Sequence, residues 1–354
     1  MELNVGIVGL NADRGWAREA HAPAIQQVDG LRLAAVATRR QTSADAAAEL
    51  FQIEKAYGDP QALIANPDID VVAVVSAVPT HRELILAALK AGKHVLTEWP
   101  VAVGTEATRQ IAEAAEHAGV HTAVGLQART NPAVLQARRL LREGTLGRVR
   151  VARVFSSTAA FGPTIDASGV PLEDPDTGMN LTTIQGAHTL DLVSALAGPF
   201  ISMTVLRTIQ FPTVAVEGSD PIHRTLPDHV LVQARLHDGG SATVEIAGGR
   251  PSGDTPFRLE LEAERGTLVL TGGAPRGFQA GVLELTVNGG RVDVAEQRVE
   301  DSVVNVAGLY TALRNDIREN TSTAPTFDDS IRLSRLIDDV VRADGAGVTV
   351  SGLR

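Results

Sequence analysis

Nine histidines, three lysines, two tyrosines and no cysteine bound the chemistry open to this 354-residue chain. Without cysteine there is no thiolate nucleophile, no disulfide and no Cys-ligated zinc. The lysines are Lys55, Lys90 and Lys93, so no amine can come from anything later in the chain. The histidines form no H-x-x-x-H helix pair with acidic partners, and no Walker-type phosphate loop is present, so neither a metal site nor that nucleotide site has support. What remains is proton transfer by histidine, whose ordinary pKa of about 6.5 suits it to work near neutrality. His188 opens an apolar stretch, Ala187 to Ala197, that reads as a helix. By residue type alone it either bonds Asp191 three positions on or acts as a general base; Asp191 itself reads as structural or orienting.

The elements that must position such a group divide into two patterns. Over the first 130 or so residues strands and helices alternate. Val5–Val8, Leu31–Thr38, Ile69–Ala77, His94–Thr97 and His121–Leu126 read as strands. Helices fall at Gly15–Gln27 (with an irregularity at Pro23), Thr42–Leu50, Thr80–Ala91 and Glu106–His117. The near-continuous β-branched run from Ile69 marks a strand buried on both faces, and the rhythm is that of a doubly wound parallel sheet. After a helix at Asn131–Arg142, the strands lengthen and alternate: Arg148–Ser157, Ile201–Gln210, His229–His237, Ala242–Ala247, Phe257–Ala263, Thr267–Thr271 and Leu283–Asn288. These predict a large, mostly antiparallel open sheet, with helices at 187–197, 307–319 and 328–343 and a Pro/Gly/Asp-rich loop at 159–179. The expected fold is α/β: an N-terminal Rossmann domain over residues 1–128, then a C-terminal α+β domain over 129–354 for substrate and oligomerisation.

Candidate ligand positions follow from the first pattern. The first strand runs into Gly9-Leu10-Asn11-Ala12-Asp13-Arg14-Gly15. This is a degenerate form of G-x-G-x-x-G, in which Asn11 replaces the second glycine and the last glycine comes one residue late. It reads either as a dinucleotide turn or as an ordinary strand–helix turn. The second strand ends in Thr38-Arg39-Arg40, with guanidiniums where an NAD site places a carboxylate. That favours a 2′-phosphate, hence NADP with NAD as the lesser option; a solvated basic turn is the plain alternative. The strand beginning at Ile69 leads to Ser76, Pro79 and His81 at the carboxyl edge of the sheet, where ligands bind in such folds. His81 is expected to face that cleft or merely to cap the helix.

Taken together, these segments resemble the glucose–fructose oxidoreductase/inositol dehydrogenase (Gfo/Idh/MocA) family. The resemblance rests on Ile69–His81, Ala88–Val95, Glu98-Trp99-Pro100, Gln127–Pro132 and Gly186–Asp191, and covers essentially the whole chain. Within the family, Gly9–Ala17, His21–Gln27, Glu98-Trp99, Leu226–His229 and Gly248–Pro251 look like the branch of the galactose-pathway transcriptional inhibitor and its bacterial oxidoreductase-like relatives. The resemblance implies hydride transfer on a sugar or polyol, with Glu98, Trp99 and Arg129 joining Gly9, Asn11, Thr38, Arg39, Ser76, Pro79 and His81 around the cofactor, and His188 as the catalytic base. It also implies two departures. The family's lysine position is Trp99, which would stack on the nicotinamide or a sugar ring, and its aspartate position is Ile184. A non-catalytic, dinucleotide-binding regulator or sensor is therefore the alternative.

The net charge of −10 and scattered arginines exclude a nucleic-acid binder of the usual basic kind. No apolar run is long enough to span a membrane, and no secretory signal is visible, so a cytoplasmic location is expected. The partners expected are a nicotinamide dinucleotide, a small sugar-like substrate or effector, and further copies of the chain. A homodimer or homotetramer would form through the open sheet.

Overall fold

Residues 2–294, 300–345 and 347–350 are described by a computed structural model. They fall into two compact units: residues 1–127 with 302–331, and residues 128–301 with 332–354.

In the first unit six parallel strands form one sheet. They are β1 (Leu3–Val8), β2 (Leu31–Ala37), β3 (Lys55–Tyr57), β4 (Val71–Val74), β5 (His94–Thr97) and β6 (Thr122–Val124), in the order β3-β2-β1-β4-β5-β6. Every residue of β4 is buried, as a β-branched strand with helices on both sides requires. The strand is shorter than Ile69–Ala77, because after Val75 the chain leaves the ladder and Ser76 and Ala77 form a crevice wall. Helices α1 (Ala22–Gln27), α2 (Gln41–Phe51), α3 (Pro60–Ala65), α4 (His81–Lys90) and α5 (Thr105–Ala118) make the crossovers. The helix expected from Gly15 to Gln27 is present, as a π-helical turn, Ala17–His21, that runs directly into α1. Pro23 lies where the π-helical turn passes into α1, so the helical donor its ring lacks falls at the irregularity.

The second unit begins with α6 (Pro132–Arg142) and carries β7 (Val149–Ser157), β8 (Thr164–Ile165), α7 (Ala187–Ala197), β9 (Phe200–Thr208), β10 (Thr213–Val216) and β11 (Ile222–His223). It continues through β12 (His229–Leu236), β13 (Ser241–Ala247), β14 (Phe257–Ala263), β15 (Gly266–Gly272), β16 (Leu283–Val287), β17 (Gly290–Val292) and, near the end, β18 (Gly347–Thr349). Nine of these strands form one sheet, in the order β17-β16-β15-β14-β7-β13-β12-β9-β18. It is antiparallel except where β7 runs parallel to β13. Alternation decides its faces: in β14, Phe257, Leu259, Leu261 and Ala263 are buried while Arg258 is exposed. Helices α6 and α7 pack on this sheet.

The stretch expected to be a loop at 159–179 is partly ordered. β8 pairs with β10, and β10 with β11, as a small separate sheet. Arg224 anchors the stretch with all five of its N–H groups. It donates to both Glu173 oxygens at 2.8 and 2.6 Å, to Asp228 Oδ2 at 2.9 Å and to the carbonyls of Phe161 and Gly162. The guanidinium is buried with its two carboxylates, the arrangement in which desolvation is offset only by complete pairing.

Helices α8 (Asp301–Glu319) and α9 (Phe327–Arg342) follow. The compact units differ from the expected division into residues 1–128 and 129–354. Residues 302–331 belong with the first unit, and the division falls inside α9. Tyr310 of α8 bonds His21, and the carbonyl of Pro325 accepts from Val124 N at the end of β6.

Candidate dinucleotide site

The first unit holds a crevice of about 900 Å³ at the carboxyl ends of β1, β2 and β4, a size ordinary for a bound cofactor. Val8, Gly9 and Asn11 form its floor, Thr38, Arg39, Arg40 and Ser43 one end, and Val75, Ser76, Ala77 and Thr80 the other. Gly9 is required here for two reasons. Its φ is +103°, and a Cβ on it would lie 2.5 Å from the Val75 carbonyl oxygen. Asn11, standing where a second glycine is usual, turns its side chain inward to accept from Asp13 N at 2.8 Å. It thereby closes the turn itself.

At the β2 end, Thr38 is occupied in shaping the turn: its hydroxyl donates to the Arg40 carbonyl at 2.8 Å. Arg39 and Arg40 present the positive charge, and the turn from Thr38 to Arg40 carries no carboxylate. The wall also includes Asp59, but that carboxylate is the N-cap of α3, accepting from Gln61 N at 2.9 Å. These residues suit a dinucleotide with a phosphorylated ribose. A glycine turn gives the backbone close approach, and guanidiniums stand at the end of β2. Ser43 and the Asp59–Gln61 segment went unrecognised in the sequence. Ser43 was signalled by its place in the first turn of α2 after Arg39. The Asp59–Gln61 wall comes from a separate loop and had no local signal.

Of the other expected site residues, Pro79, His81, Glu98 and Trp99 lie outside this wall. His81 does not face the crevice. It is fully buried, with Nδ1 2.9 Å from the Pro100 carbonyl oxygen and Nε2 2.9 Å from that of Ser76. Burial pushes its pKa down, against the two carbonyls that favour a bound proton. His81 is thus a pin between two loops at the sheet edge. Glu98, following β5, accepts no bond at the crevice but is 3.0 Å from His21 Nε2. Trp99 is 7 % exposed. Arg129 belongs to the second unit, where it grips Asp191 through two bonds of 2.8 and 2.5 Å.

His188 stands in the first turn of α7, in the second unit, and is buried. A π-helical turn, Thr182–Gly186, precedes it, and such turns recur at functional positions. Ile184 lies in that turn, about one turn before His188, so this stretch of helix adds no carboxylate. The neighbouring residues are held by a buried polar network. Gln185 Nε2 donates to Ser156 Oγ at 2.7 Å, Thr189 Oγ1 to the same oxygen at 2.9 Å, and Gln279 Nε2 to Gln185 Oε1 at 3.2 Å. The network ties α7 to β7. Asp191, one candidate partner of His188, pairs with Arg129.

Among the described residues no group of three or more His, Asp or Glu side chains could hold a metal ion, and no helix is long and apolar enough to cross a membrane.

Comparison with known proteins follows the same division. Residues 3–126 match the oxidoreductase family with an NAD-binding Rossmann fold (Gfo/Idh/MocA), and residues 132–272 match the C-terminal domain of Gal80p. The chain is 26 % identical to dehydrogenase aclE of Aspergillus oryzae, over 99 % of this chain and 98 % of that protein. It is 24 % identical to the galactose/lactose metabolism regulatory protein GAL80 of Saccharomyces cerevisiae, over 99 % and 94 %. Its fold superposes on levoglucosan dehydrogenase in complex with NADH and L-sorbose with a TM-score of 0.85 at 20 % identity, covering 100 % of both chains. A glycine turn at the head of a six-stranded parallel sheet, followed by a large mixed sheet, is therefore an arrangement shared with these proteins: the chain carries an N-terminal domain of the Gfo/Idh/MocA oxidoreductase family followed by a Gal80p-type C-terminal domain.

Proposed function

We propose that the protein is an NAD(P)-dependent oxidoreductase, preferring NADP, that acts on a hydroxyl or carbonyl of a sugar or polyol in the cytoplasm. The observation that carries this reading is the crevice over Gly9, closed at its β2 end by Arg39 and Arg40. A bound nicotinamide would supply hydride exchange. The protein must then remove the proton left on a carbinol oxygen and hold the reactants in a near-attack arrangement. His188 is the proton acceptor in this reading. It is the histidine at the family's base position, and the polar network around Gln185 and Thr189 fixes the helix that carries it. The outer face of the nine-stranded sheet, with Leu206 exposed on β9 and the Arg153–Glu260 and Arg153–Glu262 pairs across β7 and β14, is the proposed homo-oligomer interface.

A second reading, a dinucleotide-binding regulator without turnover, is favoured by one observation: no lysine replaces the missing amine at Trp99. Lys55 is bound to Asp68 at 2.6 Å, and Lys93 donates to the carbonyls of Asn66 and Ile69, at the opposite edge of the sheet from the crevice. The match to the Gal80p C-terminal domain points the same way.

The two readings separate on one assay. Purified protein with NADP+ and a panel of sugars and polyols is followed by absorbance of the reduced nicotinamide. The oxidoreductase reading expects turnover that falls by about 10²- to 10⁴-fold in His188→Ala. Cofactor binding with no turnover on any substrate, or turnover indifferent to His188, supports the regulator. In the first case Trp99→Lys should raise the rate.

A further inference from the structure

The basic end of the crevice also holds a carboxylate. Strands β2 and β3 run parallel, with Ala35, Val36 and Ala37 opposite Lys55, Ala56 and Tyr57. Thr38 N then donates to the Tyr57 carbonyl at 3.1 Å. The two strands therefore end level, and Arg39-Arg40 and Gly58-Asp59 leave the sheet side by side. Gln41, the first residue of α2, stitches the two turns together. Its Nε2 donates to the Ala56 carbonyl at 3.0 Å, and its Oε1 accepts from Gly58 N at 2.7 Å. Packing there is tight: a Cβ on Gly58 would lie 2.8 Å from Gln41 N. Asp59 follows directly, in the same crevice wall as Arg39 and Arg40.

Capping α3 occupies one oxygen of Asp59, Oδ1, which accepts from Gln61 N at 2.9 Å. The charge of the carboxylate stays in place. Among the described residues Asp59 forms no ion pair with either arginine, so neither cancels it. The cap does not require an acid, since Asn and Ser serve as well at that position. A phosphate entering this end would meet the charge. A phosphomonoester carries about −1.5 to −2 at pH 7, so the two guanidiniums attract it and Asp59 repels it. A ribose hydroxyl is uncharged and can donate to a carboxylate. The other carboxylate of the wall, Glu83, comes from the first turn of α4, on the β4 side.

We propose that Asp59 is a specificity-determining residue: its charge opposes the 2′-phosphate that Arg39 and Arg40 attract, so the crevice prefers NADP only narrowly and accepts NAD as well. This rests on the dinucleotide reading of the crevice and deepens it. An NAD site usually carries its acid at the end of the second strand. Here the acid stands on the loop after β3, and Gln41 holds that loop against the arginine turn.

The test titrates NADPH and NADH into wild type, Asp59→Asn and Glu83→Gln by calorimetry, at about 0.02 M and about 0.5 M ionic strength. Asn keeps the cap and removes the charge, and a melting midpoint equal to that of wild type shows the variant is folded. At the lower ionic strength Asp59→Asn should tighten NADPH about fivefold and leave NADH unchanged or weaker. The gain should largely vanish at the higher one, where the screening length is only about 4 Å. Asp59→Ala, which loses the cap too, should melt earlier but show the same NADPH-to-NADH ratio as Asp59→Asn. Glu83→Gln removes an equal charge from the other side and should leave that ratio as in wild type. A ratio unmoved in Asp59→Asn, or a gain that ignores salt, overturns the proposal and leaves the crevice assignment standing. So does the same change of ratio in Glu83→Gln, which would mark a general effect of net charge. Wild-type protein that binds neither cofactor overturns the dinucleotide reading, and this inference with it.

Discussion

Arg39 and Arg40 illustrate how much a single residue type says before any fold is known. A guanidinium is always charged and presents a planar fork that fits phosphate, so its place after the second strand is what favours NADP in the proposed reading. The crevice wall adds that Thr38, expected beside it as a ligand, is committed to the turn. Discrimination then falls on the arginines. Arg39→Asp should weaken NADPH by at least tenfold and leave NADH unchanged or tighter, measured by titrating both into one preparation; equal losses would show that Arg39 does not face the 2′ position. His81 shows the opposite case. A histidine at a helix start beside a ligand site has the same sequence signature whether it faces in or out. Only the positions of two backbone carbonyls, at Ser76 and Pro100, identify it as a pin.

Elements were legible where periodicity was strong. The buried run of β4 and the alternation of β14 follow directly from side-chain pattern. The two π-helical turns did not, because an extra residue in a helix leaves the apolar spacing nearly intact. Both nonetheless lie at consequential points, one ending at His21 and the other leading into α7. The Arg224 anchor and the Glu173–Asp228 pair around it were equally invisible, since their partners come from three separate stretches. The link between α8 and α9 has a similar device. Asp316 accepts from Thr321 Oγ1, Thr323 N and Oγ1, and Ala324 N at 2.7–2.9 Å. Burial alone would raise its pKa, but the combined donors hold it below the ordinary carboxylate range. A depressed folded-state pKa stabilises the fold above the unfolded value, near pH 4, and that contribution is lost as pH falls through the folded value. Asp316→Asn should therefore lower stability at pH 7 by about 1–3 kcal/mol, with the gap to wild type closing below pH 4 in denaturant titrations. A gap independent of pH would show that the carboxylate charge plays no part.

At the scale of the whole molecule, the chain leaves the first unit near residue 128 and returns to it at 302. The Rossmann unit is thus completed by residues far along the chain, and Tyr310 and Pro325 could not be assigned to it by local pattern. The crevice lies entirely within that unit. A ligand that binds only the folded form should stabilise it by about 2.7 kcal/mol at a hundredfold excess over Kd. NADPH should therefore raise the unfolding midpoint in a thermal scan, and NADH should need a higher concentration for the same shift. No shift with either would place the cofactor elsewhere or nowhere.

The sequence by itself determined what depends on neighbours along the chain. That includes the β-α-β rhythm, the long alternating strands after it, the glycine turn, the basic end of β2, and the absence of any lysine beyond Lys93 or any cysteine. These properties follow from backbone sterics, side-chain period and composition, which act over a few residues. Tertiary structure alone decided which polar groups meet: Tyr310 with His21 and Glu98, Arg129 with Asp191, Arg224 with Glu173 and Asp228, and residues 302–331 with the first sheet. Those pairings are set by the need to satisfy buried charges and donors across distances the chain pattern does not encode.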